Sequence, residues 1–169
     1  MDKEEIFRRV TEGYKGYYDI IEEGCLKPFD ATGFLSNEAK QYFLVKAAKI
    51  ASVNSYEYVY FKMCDDLTTS ELSDLDSIAW EDGISRVKPN TDHKNTDVAL
   101  IVICDHADDD VKDNIVSYRH SKNYKLGLHG FSNYRLVVIE ASTDHVFTNR
   151  RGQDLKDFVQ QIKKVGKGE

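Results

Sequence analysis

Asn149-Arg150-Arg151-Gly152-Gln153 sets two guanidinium groups side by side where the surrounding pattern changes from strand to helix. The first N–H groups of a helix lack intrahelical partners and carry the positive end of its dipole. Arg150 and Arg151 beside them make the chemistry of an anion or phosphate site, and Gly152 lets a ligand approach the backbone. The plainer reading is a solvated basic turn paired with acids such as those in residues 65–82. Other clusters carry less. Asp108, Asp109 and Asp110 fall in the first turn of a helix, where negative charge is favoured without a metal, and the run lacks the glycine and distal glutamate of a calcium loop. His93, His106, His120, His129 and His145 show no zinc-ligand spacing. Asp105-His106 lies just past a strand, where open α/β sheets tend to hold ligands, but a surface histidine explains it as well. Cys25, Cys64 and Cys104 are widely spaced, as suits three reduced and largely buried thiols. No nucleophile elbow, Walker loop or dinucleotide fingerprint occurs, so neither a cofactor nor a metal is expected.

These groups need a frame, and its centre is the run Val-Ala-Leu-Ile-Val-Ile-Cys at residues 98–104. Seven apolar residues without alternation predict a strand covered on both faces. Before it, Ile6, Val10, Tyr14, Tyr17 and Ile21 give a helical stripe over residues 3–23. Strands follow at 28–36, 41–51 and 56–63, the first two joined by Asn37-Glu38-Ala39. In the third, Tyr56, Tyr58 and Tyr60 share one face, either as a platform for rings or, more simply, under a helix. Thr68 and Glu71 form a capping box for a helix ending near Asp82, with Gly83 at a left-handed cap. Val111, Ile115 and Tyr118 continue a helix after the aspartates. Strands at 124–129, 134–141 and 145–148 and a helix at 153–165 complete the chain. The expectation is one α+β domain over residues 1–169. It has a mixed, largely antiparallel sheet of about six strands flanked by helices, in the order α-β-β-β-α-β-α-β-β-β-α.

Composition narrows the partners. A hydrophobic fraction of 41%, 31% charged residues and two prolines describe a globular chain. No apolar run approaches the ~20 residues of a membrane span, and the charged start is no secretory signal, so a cytoplasmic protein without a membrane partner is expected. The net charge of −6 repels nucleic acid on average. It is unevenly spread: residues 65–82 hold acids and no Lys or Arg, whereas Arg150, Arg151, Lys156, Lys163, Lys164 and Lys167 crowd the C-terminal end. A small anion, a protein partner, or a second copy through these opposite ends are the expected partners.

Two resemblances follow. The order helix, three strands, helix, strand over residues 3–104 is similar to the core of PD-(D/E)xK nucleases. Asp30 and Glu38-Ala39-Lys40 supply letters for a metal-dependent phosphodiesterase, although Glu38 falls in a turn and the third strand offers Tyr60-Phe61-Lys62 instead of Glu-x-Lys. The segments Asn37-Glu38-Ala39-Lys40-Gln41-Tyr42-Phe43-Leu44-Val45-Lys46, Glu57-Tyr58-Val59-Tyr60-Phe61-Lys62 and Thr148-Asn149-Arg150-Arg151-Gly152 resemble small bacterial proteins classed as a domain of unknown function. That likeness brings no activity with it. The leading expectation is a non-catalytic binding or regulatory module with an anion site at Arg150, Arg151 and Gly152. A phosphodiesterase built on Asp30, Glu38 and Lys40 is the alternative.

Overall fold

The computed structural model describes residues 1–35 and 55–165. Helix α1 (Lys3–Lys15) leads into strands β1 (Asp19–Ile21), β2 (Ala31–Leu35) and β3 (Ser55–Leu67), then α2 (Thr69–Ser85) and β4 (Asn95–Ala107). Helix α3 (Asp109–Asn114), strands β5 (Ser121–Asn123), β6 (Phe131–Glu140) and β7 (His145–Thr148), and helix α4 (Gln153–Val165) follow. Among the described residues the order of elements roughly matches the expectation, in an α+β fold. The expected strand at 41–51 lies outside the described residues.

One mixed sheet runs β1-β2-β3-β4-β6-β5, with β7 also on β6. β2 is antiparallel to β1 and β3, and β5 and β7 are antiparallel to β6. The three long inner strands, β3, β4 and β6, are parallel to one another. β4 is in the middle, and every residue from Val98 to Cys104 is 0% exposed. Its alternate side chains explain the unbroken apolar run. Val98, Leu100 and Val102 pack under α2 and α3 with Leu72, Leu75, Ala79 and Val111. Ala99, Ile101 and Ile103 pack under α1 and α4 with Ile6, Val10, Leu155 and Val159. Each such aliphatic side chain contributes roughly 1.5–3 kcal/mol by leaving water, so a polar residue on either face would be costly.

Helix ends follow their residue chemistry. Asp2 accepts from the Glu5 N–H to open α1. At α2 the Thr68 side chain accepts from the Glu71 N–H, and the Glu71 carboxylate accepts from the Thr68 N–H, as the capping box predicts.

Several boundaries differ from expectation, each for a tertiary reason. α1 stops at Lys15, and residues 19–21 pair with β2 as a strand; Tyr17 and Ile21, expected in the buried stripe, are 39% and 54% exposed. Gly83 is not a left-handed cap. α2 runs on to Ser85, and Gly83 lets it approach β4, where a Cβ would lie 2.5 Å from Val98 Cγ2. Residues 124–129 are not a strand. Positive φ at Lys125, Leu126, Gly127 and Gly130 folds them into a tight turn containing a short 3-10 segment, and β5 precedes them. Of the three tyrosines on β3, Tyr60 is buried under α2 with its hydroxyl donating to Asp82, while Tyr56 and Tyr58 are half-buried beside a cleft.

Candidate functional site

β7 ends at Thr148, and the side chain of Asn149 then fixes the turn. Its Oδ1 accepts from the N–H groups of Gly152 (2.8 Å) and Leu136 (3.0 Å). Its Nδ2 donates to the carbonyls of Tyr118 (2.8 Å) and Tyr134 (3.3 Å). A buried amide whose donors and acceptor are all used is strongly placed. It makes residues 150–152 a 3-10 turn leading directly into α4. Gly152 is buried and serves packing: a Cβ there would stand 2.4 Å from the Leu136 carbonyl oxygen. The close approach that glycine allows is thus made by β6, not by a ligand. Arg150 and Arg151 remain exposed.

The opposite wall comes from the chain between α3 and β5. The Tyr118 carbonyl held by Asn149 is followed by Arg119, His120 and Ser121, which face the arginine turn across a cavity of about 330 Å³. The His120 ring is held on three sides. Nε2 lies 2.6 Å from Asp76 Oδ2, Trp80 stacks on it at 5.1 Å between centroids, and Tyr134 meets it edge-on at 4.9 Å. Asp76, on α2, is 6% exposed. Among the described residues the Tyr134 hydroxyl and Asp76 Oδ1 are buried and make no hydrogen bond of ordinary geometry. Burial first, and then the charge of Asp76, push ionisation of the Tyr134 phenol well above its usual range. The floor of the cavity is therefore a neutral phenol and an imidazole backed by a buried carboxylate.

Charge pairing separates the arginines of this pocket from the other arginines. Arg8, Arg9, Arg86 and Arg135 each meet at least one carboxylate. Among the described residues Arg119, Arg150 and Arg151 make no ion pair, and all three line this one cavity. Three guanidinium groups with no carboxylate partner among the described residues, around a concavity large enough for a phosphate group, are suited to an oxyanion.

The chain matches the model of a family described as Domain of unknown function (DUF8052) over residues 2–161. It belongs to that family. No curated protein and no solved structure matches it.

Of the residues read from sequence, Arg150, Arg151 and Gly152 are together at this junction, with Gly152 in a structural role. Glu38 and Lys40 lie outside the described residues. Asp30 precedes β2 and accepts from the Met63 N–H at 2.7 Å, with Lys62 Nζ at 3.3 Å. Tyr60 stands where the nuclease pattern has its second carboxylate. Asp108, Asp109 and Asp110 sit at the start of α3, and among the described residues no group of three or more His, Cys, Asp or Glu could hold a metal. His106 is exposed beside Ser142.

Sequence reasoning missed Arg119, His120 and Asp76. One signal was available: residues 114–139 contain no Asp or Glu in a chain with 29 of them. An acid-free stretch of that length marks a basic surface even before its fold is known.

Proposed function

We propose that this domain is a binding module whose pocket takes a small oxyanion, inorganic phosphate or the phosphate end of an ester. The reading is supported above all by the convergence on one cavity of three arginines that no carboxylate among the described residues neutralises. The Asn149 cap adds a rigid turn that carries Arg150 and Arg151. An anion that binds the folded state alone raises stability by RT ln(1 + [L]/Kd), about 2.7 kcal/mol at a hundredfold excess over Kd.

Thermal unfolding in phosphate and in sulfate, against chloride at matched ionic strength, tests this. Arg150→Ala with Arg151→Ala should abolish the oxyanion-specific rise in Tm, and Arg86→Ala, whose arginine is paired with Asp82 elsewhere, should leave it intact. A rise of equal size in the double variant and the parent would refute the proposal. The phosphodiesterase alternative has less support. The Tyr60 hydroxyl is committed to Asp82 where a metal-binding carboxylate would stand.

A further inference from the structure

Beyond the anion pocket, edge strand β5 runs into a turn that holds two leucines out in water. Leu126 is 101% exposed and Leu128 77% exposed, so neither packs on the fold. The turn is nevertheless tightly made. The Tyr124 N–H donates to the Gly130 carbonyl at 3.0 Å, and the Tyr124 carbonyl accepts from Gly127 and His129 at 3.0 and 3.1 Å. Lys125 and Leu126 have φ of 46° and 55°. That left-handed backbone is disfavoured for residues with a side chain, a strain that Gly or Asn would avoid. Leu126 therefore contributes nothing to the core while occupying a strained position, a combination that points to function.

The surroundings of the tip are basic. Lys122 lies over the Tyr124 ring at 5.6 Å, Lys125 adjoins Leu126, and the Phe131 N–H ties the Lys94 carbonyl to the same end. Phe131 is itself 42% exposed. Residues 114–139 hold no acid, and the nearest one to Lys94 in the chain is Asp92.

We propose that this tip docks onto a bilayer surface rich in anionic lipid. Leu126 and Leu128 enter the interface while Lys94, Lys122 and Lys125 meet the headgroups. Side chains that project fully need either a concave receptor or a soft medium, and a lipid interface supplies the second without a preformed cavity. Aliphatic tips rimmed by lysine are the chemistry of peripheral membrane contact. Single-stranded nucleic acid would call for exposed aromatic rings to stack on its bases, which two leucines do not provide. No helix among the described residues is long and apolar enough to cross a membrane, and peripheral contact of this kind needs none. None of Leu126, Leu128, Lys94, Lys122 or Lys125 lines the arginine pocket, so either idea can fail alone.

Co-sedimentation of the whole chain with vesicles of phosphatidylcholine, alone or with about one quarter phosphatidylserine, provides the test. Binding should require phosphatidylserine and be lost when KCl is raised from about 50 to about 500 mM. Leu126→Ser with Leu128→Ser should weaken it about tenfold, with Tm unchanged because both side chains are exposed. Lys122→Glu with Lys125→Glu should remove it. Equal sedimentation of the leucine variant and the parent, or no sedimentation of the parent, overturns the proposal. So does a tip variant that instead abolishes a dimer seen by size exclusion, or one that abolishes binding to an oligonucleotide when vesicles are not bound.

Discussion

Replacing Asn149 by alanine tests whether one side chain holds the site to the sheet. The amide joins three segments: β6 through Leu136 and Tyr134, the wall before β5 through Tyr118, and the arginine turn through Gly152. Without it, the N–H of Leu136, a residue 0% exposed, loses this acceptor inside the core. An unsatisfied buried donor costs roughly 1–3 kcal/mol, and each satisfied bond contributes roughly 0.5–1.5 kcal/mol net. The Gly152 N–H keeps a partial substitute in the Asn149 carbonyl at 3.2 Å, and the bond to Tyr134 is long, so these two count for little. The expected loss is about 3 kcal/mol in urea unfolding. With an unfolding entropy of about 2.1 cal/mol/K per residue, this chain should lose about 3 °C of Tm per kcal/mol, or roughly 9 °C in total. Oxyanion stabilisation should vanish with it, since the turn carrying Arg150 and Arg151 is released. A loss below about 1 kcal/mol would show that the cap is dispensable and refute the reasoning.

Two further outcomes check the frame around the site. Gly83→Ala improves helix propensity by about 1 kcal/mol, yet its Cβ would meet Val98 Cγ2 at 2.5 Å and Cγ1 at 2.9 Å. The clash should win, giving net destabilisation of about 1–2 kcal/mol in urea, and a stabilised variant would show that α2 stands off from β4. Glu140 is 2% exposed; burial opposes its charge, but the Ala107 N–H, Lys112 and Thr143 together hold its carboxyl down to about 2. A depressed carboxyl stabilises above its unfolded value, near 4.3, and that contribution fades as pH falls towards 2. Between pH of about 4.5 and about 2, the parent should therefore lose roughly 2–3 kcal/mol more stability than Glu140→Gln. Parallel pH profiles would remove Glu140 from the account of acid sensitivity.

Much of the frame was legible because the signals are local. An apolar run without alternation at residues 98–104 admits little but a strand with both faces covered, and β4 has them covered. Thr68 with Glu71 announced the start of α2 through bonds spanning three residues. Leu155, Phe158, Val159 and Ile162 drew the inner stripe of α4, of which Leu155 and Val159 are buried. Where local signals were weak or ambiguous, expectation failed. Residues 19–21 are a strand only because β2 lies beside them, and Gly83 continues a helix only because Val98 takes the space a side chain would fill.

The sequence by itself determined the central strand, the start of the helix after Thr68, and the last helix with the two arginines ahead of it, since periodicity and capping act within a few residues. Only the tertiary structure decided that Arg119 and His120 face Arg150 across one cavity, with Asp76 behind them. Arg119, His120 and Asp76 lie from about thirty to more than seventy positions from Arg150, and no spacing along a chain states which strands will be neighbours in its sheet.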